Sequence, residues 1–142
     1  MPAYMMTKLL DRVPVLTAAT IPLYDNPVAA GFPSPAADHV EDRLSADDYL
    51  VVNPTATYFV RVKGDSMIDA GIFDGDVLVV DRSITPSLGH VVLAEVDGEF
   101  TVKYLGRGKL LPANSSYQSI FFKEGQTVEI IGVVTGSMRR FV

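Results

Sequence analysis

A mostly β fold, a curled and barrel-like antiparallel sheet preceded by an extended N-terminal arm, is the architecture this sequence predicts. Short runs of β-branched and aromatic residues recur at close spacing from Thr57 onward, with turn residues between them. Asp97-Gly98 lies between two such runs and is a strong two-residue hairpin signal. Six of the nine prolines fall within residues 1–44, a density that excludes a long helix or a central strand there.

The elements follow in chain order. Residues 1–44 read as an arm that lies extended on another surface, and residues 45–142 as a β-rich domain. Ser45-Ala46-Asp47-Asp48-Tyr49-Leu50 suits a short helix, with Ser45 as N-cap and carboxylates facing the positive end of the helix dipole. Strands are expected over Tyr58–Lys63, ending at Gly64, and over Val77–Val80 after the turn Asp74-Gly75-Asp76. Met67–Gly71 between them looks like one helical turn. Val91–Val96 and Phe100–Leu105 flank the hairpin, and Lys109–Leu111 and Ser119–Phe122 are shorter candidates. Val128–Val134 is apolar enough to be covered on both faces.

With 142 residues, 48% of them hydrophobic, the chain is long enough for one real core. It has no cysteine, which removes disulfides and thiolate metal sites and fits a reducing compartment. His39 and His90 are too far apart in sequence to suggest an imidazole-rich metal site, and no metal or cofactor is expected. Asp74, Asp76 and Asp81 read as turn carboxylates around Gly75 rather than cation ligands. The net charge of −5 argues against a general nucleic-acid binder, which needs cationic side chains to release counterions from phosphates. No apolar run approaches the roughly 18 residues that span a bilayer. The stretch Val13–Leu23 imitates a secretory signal, but Pro14 and Pro22 interrupt it and Asp11 and Asp25 flank it with the wrong charge.

Three features carry chemistry. Ser66, in Gly64-Asp65-Ser66-Met67, follows a strand end, where a side chain is exposed and backbone N–H groups are free to receive an oxyanion. The same residues are also ordinary turn composition. Lys103 lies 37 residues on, in Glu99-Phe100-Thr101-Val102-Lys103-Tyr104-Leu105. Alternation puts Thr101, Lys103 and Leu105 on one face and Phe100, Val102 and Tyr104 on the other. A serine with lysine as its base is a known nucleophile arrangement. At the reference pKa of about 10.4, only roughly one lysine in 2,500 is neutral at pH 7. Bringing it to neutrality costs about 4 kcal/mol, which desolvation supplies in a dry pocket. The competing role is an edge lysine that discourages aggregation. The third feature is Pro27-Val28-Ala29-Ala30-Gly31-Phe32-Pro33, suited to cleavage between Ala30 and Gly31. Ala30 and Val28 would fill shallow pockets and Gly31 would permit close approach. A proline-rich linker has the same composition.

Several stretches resemble one family. They are Ala30–Asp38, Ala56–Val60, Gly64–Asp69, Val96–Lys103, Leu111–Ser115 and Gly132–Val134. Together they resemble the LexA/UmuD family of self-cleaving serine–lysine peptidases, over nearly the whole chain except about its first 20 residues. The separations of 36 residues from Ala30 to Ser66 and 37 from Ser66 to Lys103 fit that family's spacing. The segment before the cleavage site is too short for a winged helix-turn-helix and the chain is acidic, so the likeness is to the UmuD type rather than to a DNA-binding repressor. Ala30 stands where that type commonly has cysteine.

The resemblance implies Ser66 as nucleophile, Lys103 as general base, the N–H groups of Asp65 and Ser66 as oxyanion donors, and Ala30–Gly31 as the scissile bond. It further implies a cytoplasmic homodimer of the SOS response, with a RecA filament on single-stranded DNA as activator. The processed product would join a UmuC-type polymerase for error-prone synthesis past lesions. Two other readings stand beside it: a non-catalytic regulatory subunit retaining the fold, and a LexA-like regulator without its DNA-binding domain.

Overall fold

The computed structural model describes residues 19–24 and 40–142. The chain divides into two units, Met1–Tyr49 and Leu50–Val142. Val28, Ala30, Gly31 and His39 lie outside the described residues.

In the first unit, β1 (Ile21–Tyr24) pairs antiparallel with β2 (Val40–Leu44), with a register shift between Leu23 and Tyr24. Sequence reasoning read an extended arm over residues 1–44 and did not foresee this ribbon. Pro22 is compatible with it because, among the described residues, each strand has only one partner, and proline is tolerated on an edge strand. The charged run Glu41-Asp42-Arg43 hid the period-2 signal in β2. Arg43 braces the ribbon, donating from Nη2 to the Thr20 carbonyl at 2.8 Å and from Nε to Thr20 Oγ1 at 3.1 Å. The expected helix forms as α1 (Ala46–Leu50), and Ser45 Oγ accepts a long hydrogen bond from the Asp48 N–H at 3.4 Å.

The second unit is a seven-stranded antiparallel sheet. Its strands are β3 (Thr57–Arg61), β4 (Val77–Asp81), β5 (Val91–Val96), β6 (Glu99–Gly106), β7 (Lys109–Leu111), β8 (Ile120–Phe121) and β9 (Val128–Met138). They lie in the order β3-β4-β9-β5-β6-β7-β8. The β5–β6 hairpin turns through Asp97 (φ 49°) and Gly98 (φ 86°), both left-handed as a type I′ turn demands.

The sheet is the expected curled, antiparallel one, and it does not close into a barrel. Among the described residues β3 pairs only with β4, and the two-residue β8 pairs only with β7, so these two strands form the edges of the sheet. Curling comes from register shifts where β9 meets β4, between Val79 and Val80, and where it meets β5, between Leu93 and Ala94. Such irregularities increase local twist. Gly132 permits the close approach there, since a Cβ at that position would sit 2.7 Å from Val80 Cγ1 and 3.1 Å from the Asp81 carbonyl oxygen.

Both faces of the sheet are covered at its centre. Leu78, Val80, Leu93, Met67 and Ile72 form one buried cluster, with Val60 of β3 and Val102 of β6 packed against it. Val92, Ala94, Leu110 and Val133 form the other. Alternating residues of β9 serve both, Ile131 and Val134 the first cluster and Ile130 and Val133 the second. This is why Val128–Val134, apart from Glu129, reads as apolar enough to be covered on both faces.

Candidate active site

The turn that carries Ser66 is shaped by its neighbours. After β3, Val62 exchanges hydrogen bonds with the 75–76 turn, its N–H donating to the Asp76 carbonyl at 2.8 Å and its carbonyl accepting from Gly75 N–H at 2.9 Å. Gly64 (φ 94°) reverses the chain, and its N–H is held by Asp74 Oδ1 at 2.7 Å. A single 3₁₀ turn, Ile68–Ala70, follows and ends on left-handed Gly71. Met67, 3% exposed, anchors this turn in the core while the adjacent Ser66 stays half-buried at its surface.

Lys103 reaches the same place from β6. Its side chain is 8% exposed, and no carboxylate among the described residues pairs with it. Burial alone holds the ammonium below the ordinary lysine range. Nζ lies 2.9 Å from Ser66 Oγ, 2.6 Å from Thr101 Oγ1 and 3.1 Å from the Val102 carbonyl oxygen. A neutral amine has two N–H donors and one lone pair. The Val102 carbonyl can only accept, so it takes one N–H. If Thr101 Oγ1 takes the other, the lone pair faces the Ser66 hydroxyl. Thr101 is thus a member of the site that sequence reasoning passed over. Alternation had already put it on the Lys103 face, which was the available signal.

Among the described residues, the backbone N–H groups of Asp65, Ser66 and Met67 meet no hydrogen-bond acceptor. Consecutive donors without an acceptor beside a hydroxyl are available to a developing negative charge. Next to them opens a cleft of about 200 Å³ whose apolar lining includes Val60, Val62, Met67, Leu93 and Phe100. It suits a small apolar side chain. The proposed cleavage residues Val28, Ala30 and Gly31 are not among the described residues. Asp74, Asp76 and Asp81 are each engaged elsewhere, with Gly64, Arg139, and Asn53 plus Ser83 respectively.

The family model described as Peptidase S24-like matches residues 22–135. The chain is 45% identical to Protein SamA of Salmonella typhimurium strain LT2, over 86% of this chain and 87% of that protein. It is 47% identical to Protein MucA of Escherichia coli, over 84% of each. It is also 44% identical to the LexA repressor of Azoarcus sp. strain BH72, over 79% of this chain and 57% of that protein. No helix among the described residues is long and apolar enough to cross a membrane.

Proposed function

The chain belongs to the S24-like peptidase family, and from that premise we propose that it is a serine peptidase cutting its own Ala30–Gly31 bond with Ser66 as nucleophile and Lys103 as base. The single observation that carries this reading is the 2.9 Å approach of a buried, carboxylate-free Lys103 Nζ to Ser66 Oγ.

The Ser66 hydroxyl gives its proton to the Lys103 lone pair as Oγ attacks the Ala30 carbonyl carbon. The carbonyl oxygen becomes an oxyanion held by the N–H groups of Asp65 and Ser66. When the C–N bond breaks, Lys103 returns the proton to the leaving Gly31 amine, and Ala30 remains esterified to Ser66. Water, deprotonated by Lys103, then hydrolyses that ester and regenerates both side chains. The products are residues 1–30 and 31–142.

A tethered substrate is present at about millimolar effective concentration, so latency requires an equilibrium that keeps the cleavage segment undocked or Lys103 protonated. An activator need only favour the docked, neutral-lysine state. The likeness to the UmuD type supports a RecA filament on single-stranded DNA in that role. It also supports a processed homodimer that assists a UmuC-type polymerase in SOS mutagenesis. Retention of an intact Ser–Lys pair favours this over a non-catalytic subunit.

Mass spectrometry of protein incubated at about pH 9 to 10, where the lysine loses its proton without an activator, tests the assignment. Fragments ending at Ala30 and beginning at Gly31 are expected. A product from any other bond overturns it.

Thr101→Val removes the acceptor that orients the amine. The alkaline rate is expected to fall roughly tenfold, equivalent to about 1.4 kcal/mol in the barrier. Rates followed by gel densitometry check this, and an unchanged rate would remove Thr101 from the site.

A further inference from the structure

We propose that the segment Ala113–Tyr117 is a brace that fixes the peptide groups on either side of Ser66, making Asn114 and Tyr117 positioning residues for the oxyanion-binding N–H of Ser66. This rests on the reading of Ser66 as nucleophile.

The brace contacts the Ser66 turn along both its main chain and its side chains. Ala113 N–H donates to the Ser66 carbonyl at 2.8 Å, and the Ala113 carbonyl accepts from Asp69 N–H at 2.8 Å. Asn114 Nδ2 donates to the Asp65 carbonyl at 2.9 Å, across 49 residues of sequence. The orientation of that amide is settled by its other end, where Oδ1 accepts from Ser116 N–H at 2.9 Å. The Tyr117 hydroxyl donates to the Asp65 carboxylate. Tyr117 N–H in turn closes the loop on the Asn114 carbonyl at 3.1 Å.

A trans peptide is planar, so its C=O and the following N–H point in opposite directions. By holding the Asp65 carbonyl, Asn114 therefore fixes the direction of the Ser66 N–H. By holding the Ser66 carbonyl, Ala113 fixes that of Met67. These N–H groups are among the three without an acceptor. Donors stabilise an oxyanion best when they are aimed before the charge develops. A turn tied only by its own long Ile68 N–H to Asp65 carbonyl bond, 3.3 Å, would have to reorganise during the reaction. None of the brace side chains bonds to Lys103, so the device acts on the donors and not on the base.

Asn114→Asp keeps the acceptor for Ser116 and removes the donor to Asp65. Tyr117→Phe removes one hydroxyl from a ring that is 45% exposed. First-order self-cleavage of the full chain is followed from about pH 7 to 11, alongside thermal melting, with Ser66→Ala as the blank. The plateau rate is expected to fall about tenfold in Asn114→Asp and about threefold in Tyr117→Phe. The midpoint of the alkaline rise should stay at the parent's value in Tyr117→Phe, which adds no charge, and the melting temperature should stay at the parent's value in both. Parental rates in both variants overturn the proposal. So does a fall in Tyr117→Phe accompanied by a displaced midpoint, which would mean that the loop acts through Lys103. If Asn114→Asp does not fold, Tyr117→Phe decides alone. Cleavage that persists in Ser66→Ala removes instead the nucleophile assignment on which the brace depends.

Discussion

Ser66→Ala is expected to slow self-cleavage by about 10⁴-fold or more, and Lys103→Ala by about 10²- to 10⁴-fold, with the domain still folded in each. The pH dependence follows from the burial of the amine. Because Lys103 is held below the ordinary lysine range, the unfolded chain binds its proton more readily than the folded one. Between the folded-state value and about pH 10.4, both the neutral fraction and the stability of the fold therefore rise with pH. Parent protein should cleave faster as pH rises and then reach a plateau, and Lys103→Ala should lose that rise. Lys103→Met fills similar space with no charge to desolvate. It is expected to be inactive yet to melt no lower than the parent at pH 7, since a buried ammonium without a counter-ion costs the fold stability. Quantifying fragments by mass spectrometry and melting by circular dichroism checks both halves. A Lys103→Met protein that cleaves at the parental rate would end the role assigned to the amine.

Arg139→Ala is expected to be strongly destabilising although it lies outside the active site. Asp76 is 1% exposed and receives Arg139 Nε at 2.7 Å and Nη2 at 2.9 Å. Its Oδ2 also accepts from Phe73 N–H at 2.8 Å. The guanidinium lies 4.3 Å from the centre of the Phe73 ring. The Arg139 hydrogen bond, with further help from that of Phe73 and the attraction of the charge, holds the Asp76 carboxyl below the usual carboxylate range. A depressed folded-state value means stability that is present above about pH 4 and lost as pH falls through it. Removing Arg139 leaves a buried carboxylate unpaired. The cost at pH 7 should lie near the lower end of roughly 3–5 kcal/mol, because the arginine side chain is itself 40% exposed. In acid, where Asp76 is protonated, the difference between variant and parent should shrink. Urea titrations at neutral and acidic pH measure it, and an equal deficit at both would rule out the charge-pair account.

The sequence carried the strands of the second unit well, because their information is local. Period-2 alternation and Asp97-Gly98 place β5 and β6 without reference to anything distant. Extra length in β9 was not visible, since Thr135-Gly136-Ser137 beyond Val134 are small or polar, although Gly136 lies inside the ladder, paired with Val79. Whether the sheet closes was not legible, because alternation describes each strand's faces but not whether the first and last strands meet. In the site, Ser66 and Lys103 stood out as residue types whose chemistry is rare in such settings. Thr101, Asn114 and Tyr117 did not, because ordinary polar residues gain a role only through partners that folding brings to them. The ribbon of β1 and β2 was hidden for a related reason: its pairing joins segments that composition alone marked as proline-rich or charged.

Three strands, β4, β9 and β5, separate the strand before Ser66 from the strand bearing Lys103. Oxygen and nitrogen are neighbours only because the ladder bends far enough to bring its distant rows face to face. On the proposed mechanism, bond cleavage would therefore be a gauge of curvature. Flattening the sheet by even a modest angle would part the two atoms while leaving every inter-strand hydrogen bond intact, so activity should fade before unfolding begins.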